Sequence, residues 1–177
     1  CRLVAGEIPS ARVAEDQLTL AFMDLGQVNP GHVLVASKRH AATLFDLTPD
    51  EAGAVMRMAQ RVALAARGVF DPDGLMLLQA NGAVAGQTVG HFHVHVVPRH
   101  KGDGVDYSWP RKEPGPAALQ DYAARLRAAT MASRSSNGTI GELPFISNWV
   151  MSAFAFSSSV TCSRSIKAAF QQRFCVR

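Results

Sequence analysis

The chain has 177 residues, 18 Lys and Arg against 14 Asp and Glu, a net charge of +4, and 47% hydrophobic with 18% charged residues. This is the composition of a globular protein long enough to build a core, and its three cysteines, Cys1, Cys162 and Cys175, exclude a disulfide scaffold. The positive excess does not point to nucleic acid: residues 1–133 carry equal numbers of each sign, and the surplus (Arg134, Arg164, Lys167, Arg173 and Arg177 against Glu142) follows them, whereas affinity for a phosphate backbone needs a clustered basic face.

The opening "CRLVAGEIPS" has no charged run followed by an apolar one, so no secretory signal is read and the cytoplasm is the expected location. Residues 11–24 read as two short strands around Glu15–Gln17, and "GHVLVASK" (31–38) as an apolar strand after the turn "NPG". Thr48-Pro49-Asp50-Glu51 forms a capping box, with Pro49 suited to the first helical position. Ala52, Val55, Met56, Ala59, Val62, Ala63 and Ala66 then recur at helical spacing, which predicts a helix over 49–67 ending at Gly68. "GLMLLQA" (74–80) reads as a strand, "NGAVAGQTV" as a loop, and "GHFHVHVV" (90–97) as a strand that Pro98 terminates. A Gly-rich polar loop runs to 113, and a second helix is predicted over 116–129. Strands, helix, strands, helix with short connections predict an α+β fold, an antiparallel sheet with two helices. One domain is expected over 1–130. Residues 131–177 read as a Ser-rich, basic and poorly ordered extension; its apolar stretch 143–160 is broken by Asn148 and several Ser, so no membrane partner is expected.

Three of the six histidines, His91, His93 and His95, alternate within "GHFHVHVV". Alternation on a strand puts them on one face, with Phe92, Val94 and Val96 toward the core. Three such residues in register argue against plain surface polarity. A zinc ion held by all three is disfavoured, because the outer pair stands roughly 13 Å apart along a strand while metal–nitrogen bonds are about 2.0–2.1 Å. A nucleophilic role needs no large pKa shift: an ordinary imidazole is roughly 90% neutral at pH 7.5, and histidine forms covalent intermediates. Gly86, Gln87 and Thr88, just before the strand, supply the amides and hydroxyl that hold a phosphate.

His91-Phe92-His93-Val94-His95-Val96-Val97 resembles the His-x-His-x-His-x-x signature of the histidine triad (HIT) family. "NPGHVLV" (29–35), with His32, resembles the family's strand bearing a fourth active-site histidine, "GQTV" its phosphate-contacting element, and "FMDL" (22–25) its ribose-contacting stretch. The resemblance covers about residues 1–130 and implies a HIT fold that pairs into a homodimer. It also implies a purine nucleotide substrate. His93 would attack the α-phosphorus to form a nucleotidyl-histidine, with His95 and His32 holding and polarising the phosphate. Asp24, Leu25, Asn81, Gly86, Gln87, Thr88 and His91 would line the nucleotide. The family places a further contact at the position of Ala80 here, which is flanked by Gln79 and Asn81, and either neighbour could substitute for it. Some bacterial members carry a structural zinc, and Cys1, His40 and His91 fall at three of its four ligand positions; the fourth would precede residue 1. The resemblance thus implies an incomplete zinc site and no cofactor for catalysis.

The function so implied is hydrolysis of nucleoside phosphoramidates or dinucleoside polyphosphates to a nucleoside monophosphate. Transfer to a phosphorylated sugar is less expected, since the related transferases tend to carry Gln in place of the third histidine, and His95 is present. The rival class is a non-catalytic nucleotide-binding or interaction module using the same pocket.

Overall fold

The computed structural model describes residues 1–135 except 107 and 109. The expectations for 143–160 and for the order of the extension lie outside the described residues. Strands β1 (Arg12–Glu15), β2 (Thr19–Met23), β3 (Val33–Ser37), β4 (Gly74–Leu78) and β5 (His93–Arg99) form one sheet in the order β1-β2-β3-β5-β4. Every neighbouring pair is antiparallel. Helix α1 (Pro49–Phe70) covers one face. The sheet and α1 fall in one compact unit of the chain; helix α2 (Gly115–Ser135) belongs to a second. This is the α+β HIT architecture, five antiparallel strands and two helices.

The core follows from strand alternation. Ala21, Val33, Val35, Phe92, Val94 and Val96 point to the α1 side and pack on Val55, Met58, Ala59 and Val62, each fully buried aliphatic side chain contributing about 1.5–3 kcal/mol. The opposite face is left to polar chemistry. On it, β3 and β5 pair with Leu34 opposite His95 and Ala36 opposite His93. Sheet register alone therefore sets His93 and His95 beside the strand that follows His32.

Four boundaries differ from the sequence reading in ways that bear on the site or its surroundings. Helix α1 runs past Gly68 to Phe70, and Asp71 closes it at φ 45°. Phe70 lies over Gly31, so that a Cβ at Gly31 would meet its ring at 2.5 Å, and this packing outweighs the ~1 kcal/mol helix penalty of glycine. Pro98 does not end β5, which continues to Arg99. Pairing with β3 has stopped at Val96 opposite Val33, and Pro98 pairs only with Leu75 of β4, so its missing N–H faces no third strand. The strand also begins later than predicted, at His93, which removes His91 from it. Helix α2 extends to Ser135 because residues 128–133 contain no glycine or proline stop. The capping box at the start of α1 is present as read: the Thr48 hydroxyl accepts from Glu51 N, and Glu51 accepts from Thr48 N at 2.8 Å. Arg39 binds both oxygens of Glu51 at 2.6 Å, which holds that carboxyl at about 2. Among the described residues no helix is long and apolar enough to cross a membrane.

Candidate active site

His93 and His95 sit on β5 with ring centroids 4.9 Å apart, and His32, at the entrance to β3, lies 5.1 Å from His95. His32 is buried and the two β5 histidines are half-buried. Hydrogen-bond partners assign the protons. The carbonyl oxygen of His91 lies 2.7 Å from Nδ1 of His93. A carbonyl only accepts, so the proton is on Nδ1 and Nε2 of His93 keeps its lone pair.

A second chain of contacts fixes His95. The Val28 N–H donates to Nδ1 of His32 at 3.3 Å, which places the His32 proton on Nε2. That nitrogen is 2.9 Å from Nδ1 of His95. His95 therefore accepts on Nδ1 and carries its own proton on Nε2. Burial holds His95 well below the usual histidine range, at about 4, with His93 and His32 adding to the effect and Asp24 opposing it. Burial lowers His32 as well. Both rings are thus neutral near pH 7, one nitrogen bare and one protonated, in a fixed order.

Asp24, also buried, completes this group: Oδ2 lies 3.4 Å from His32 Nε2 and 3.8 Å from His95 Nδ1, while Oδ1 accepts from Gly26 N. The spacing of Asp24, His32 and His95 would suit a metal ion. Such an ion would need the Nε2 lone pair of His32 and hence a proton on Nδ1, against the Val28 N–H. Within the trio the hydrogen bond is between His32 and His95, and the Asp24 carboxylate lies beside that pair.

Gln27, which the sequence reading missed, positions this corner. Its Nε2 donates to the carbonyls of Asp24 (2.5 Å) and His32 (2.8 Å), and its Oε1 accepts from Gly31 N and His32 N. One side-chain amide thereby stitches both ends of the β2–β3 turn. Nothing in the pattern "GQVNPGH" distinguishes it from any polar turn residue. A cavity of about 500 Å³ lined by Met23, Val28, Pro30 and Phe70, among others, opens beside the same turn.

The loop 82–90 is folded on itself. Gln87 accepts from Gly82 N and donates to the carbonyls of Ala42 (2.6 Å) and Val89 (2.9 Å), so its side-chain amide holds the loop. Gly86 and Thr88 are exposed. Asn81 pairs reciprocally with Gln79 and accepts from Leu44 N, and none of these bonds reaches the histidines. Leu25 is 80% exposed.

The third triad histidine stands apart. Buried His91 donates Nε2–H to Ser37 O at 2.7 Å, leaving the Nδ1 lone pair toward Cys1 Sγ at 3.6 Å. His40 Nδ1 lies 3.1 Å from the same sulfur. These three donors lie within 4.8 Å of one another. Tetrahedral bonds of 2.0–2.3 Å separate donors by roughly 3.3–3.8 Å, so one thiolate and two imidazoles fit a zinc ion. With zinc bound, these residues would supply a cross-link between the N-terminus, the segment after β3 and the entry to β5. His93 and His95 lie outside this donor set.

A five-stranded antiparallel sheet with alternating histidines on β5, one with a free nitrogen and one with a fixed N–H, defines the class: an α+β protein with a histidine-lined face. The HIT domain family model matches residues 5–102, and the chain belongs to the HIT family. It is 44% identical over 110 residues to Protein hit of Bacillus subtilis, covering 62% of this chain and 76% of that one. It is 34% identical over 111 residues to the adenosine 5'-monophosphoramidase hnt1 of Schizosaccharomyces pombe, covering 62% and 80%. Among solved structures, a HIT family protein from Bacillus anthracis superposes with a TM-score of 0.70 at 37% identity over 73% of this chain and 94% of that one. A zinc-bound histidine triad family protein from Mycobacterium smegmatis superposes with a TM-score of 0.57 at 34% identity over 77% and 94%.

Proposed function

We propose that the protein is a nucleotide hydrolase that cleaves nucleoside 5'-phosphoramidates, with dinucleoside polyphosphates as the second substrate class, through a nucleotidyl-His93 intermediate. The observation that carries this reading is the His93 Nδ1–H bond to His91 O, which leaves Nε2 as a lone-pair nucleophile. The similarity to a monophosphoramidase supports the substrate class.

In the first step His93 Nε2 forms a bond to the α-phosphorus, and the bond from phosphorus to the leaving amine or phosphate breaks with the electron pair on the leaving group, which takes up a proton from solvent that the attacking water of the second step returns. Nε2–H of His95 donates to a phosphate oxygen as charge develops there. His32 holds His95 in the tautomer that does so. Water then adds to phosphorus, the phosphorus–nitrogen bond breaks, and the nucleoside monophosphate leaves with His93 restored. Asp24 and Leu25 contact ribose and base, and the loop with Gly86, Gln87, Thr88 and Asn81 closes on the phosphate. No cofactor enters these steps.

Strand β4 is a sheet edge, and its Leu75 and Leu77 are exposed. A flat apolar edge invites pairing, and a second copy of the chain is its proposed occupant. Incubating the protein with adenosine 5'-phosphoramidate and following AMP release tests the function. Turnover that His93→Ala abolishes is expected; intact nucleotide binding without turnover would leave only the binding-module reading.

A further inference from the structure

We infer that metal held by the Cys1–His40–His91 group would set the catalytic nucleophile, with His91 as the positioning residue between the two. The inference rests on the reading of His93 as that nucleophile. His91 uses three of its polar groups for three different neighbours. Nδ1 faces the Cys1 sulfur, Nε2–H is donated to Ser37 O, and the main-chain oxygen receives the His93 Nδ1–H. The metal-facing nitrogen and the carbonyl that fixes the His93 tautomer therefore belong to one residue.

The surroundings make that residue a stiff connection. Phe92 N donates to Ala41 O at 2.7 Å, and Ser37 N donates to Phe92 O at 3.4 Å. These bonds tie the entry of β5 to residues 37–41, the segment that carries His40. An ion bridging Cys1, His40 and His91 would close a third link across the same two segments. It would also draw electron density from the His91 ring and strengthen its Nε2–H bond to Ser37 O, as outer partners of metal-bound histidines do. Without the ion, the ring is held on its Nδ1 side only by the 3.6 Å contact to the thiol. The His91 carbonyl then has more freedom, and so does the His93 ring. Ligand-orienting partners of this kind change activity by about 10–100-fold when removed, and the connection here is longer, so the lower end, about tenfold, is expected.

The experiment uses the full chain, stripped with chelator and then given one equivalent of Co²⁺ or Zn²⁺ at constant pH. Co²⁺ reports binding through its thiolate charge-transfer band. The ring 15N shifts of His93 report its tautomer, and single-turnover formation of the His93 adduct reports its function. Metal is expected to produce the band, to sharpen His93 into one tautomer and to speed adduct formation about tenfold. Cys1→Ser and His40→Ala should remove all three effects while leaving the metal-free rate as it was. No Co²⁺ band would overturn the inference. So would a band accompanied by unchanged His93 ring signals and an unchanged single-turnover rate. If no adduct forms with or without metal, the proposed function fails, and the His93 ring signals alone still decide the coupling.

Discussion

His32 Nε2 stands 2.9 Å from His95 Nδ1, and the direction of that bond is imposed by the Val28 N–H on the far side of the His32 ring. A main-chain amide outside the sheet thus determines which nitrogen of His95 carries its proton. His32→Ala should lower kcat/KM about 10–100-fold with little change in nucleotide binding, the size expected for a ligand-orienting or acid–base partner. His32→Gln, whose amide can still donate to His95 Nδ1, should recover part of the loss. Equal loss in the two variants would contradict the positioning role.

Stability should be acid-sensitive through the same residues. Burial depresses His95 to about 4 and lowers His32 and His91, whereas all three return to about 6.5 on unfolding. The unfolded chain therefore binds more protons as pH falls below 6.5, and stability declines from there toward pH 4. For His95 alone the loss is on the order of 3 kcal/mol. Denaturant melts between pH 7.5 and 4.5 check this, and His95→Gln should flatten the decline. A wild-type profile flat over that window would exclude it.

Gly31 combines a φ of 91° with a position under the Phe70 ring. Gly31→Ala meets both costs: a left-handed backbone, about 1–3 kcal/mol for a residue with a Cβ, and a direct clash. The Tm should fall, and activity should fall with it, because the next residue is His32. Adding Phe70→Ala should relieve the clash and leave the backbone strain, so the double variant should be destabilised by less than the two single changes added together. Strict additivity would show that the ring does not matter.

The exposed edge of β4 gives a test in solution. Leu75→Lys and Leu77→Lys together place charge on an edge that the proposed dimer buries. Sedimentation should show a dimer for the wild type and a monomer for the double variant, with the fold retained. A wild-type monomer at high concentration would refute the pairing.

The sequence made much of this legible where local chemistry decides. Thr48 and Glu51 form the capping box that their spacing foretells, and the alternation of Phe92, Val94 and Val96 identifies the core face of β5. The misses share a cause, which is that partners distant in sequence decided them. Gly68 fails to stop α1 because Phe70 has Gly31 to cover. Pro98 fails to stop β5 because β3 has already ended. His91 shares the alternation of its neighbours yet turns to Ser37 and Cys1. Gln27 is the exception, since its four hydrogen bonds are local, to Asp24, Gly31 and His32, yet no residue pattern announces them.

The central claim is that Nε2 of His93 takes the nucleotidyl group. Rapid quench into alkali after mixing with adenosine 5'-phosphoramidate, followed by mass spectrometry of the peptide spanning β5, measures this directly. Adenylylation on His93 is expected, formed and lost on the time scale of turnover and absent from His93→Ala. Steady AMP release with no adduct, or with the adduct on His91 or His95, would contradict it.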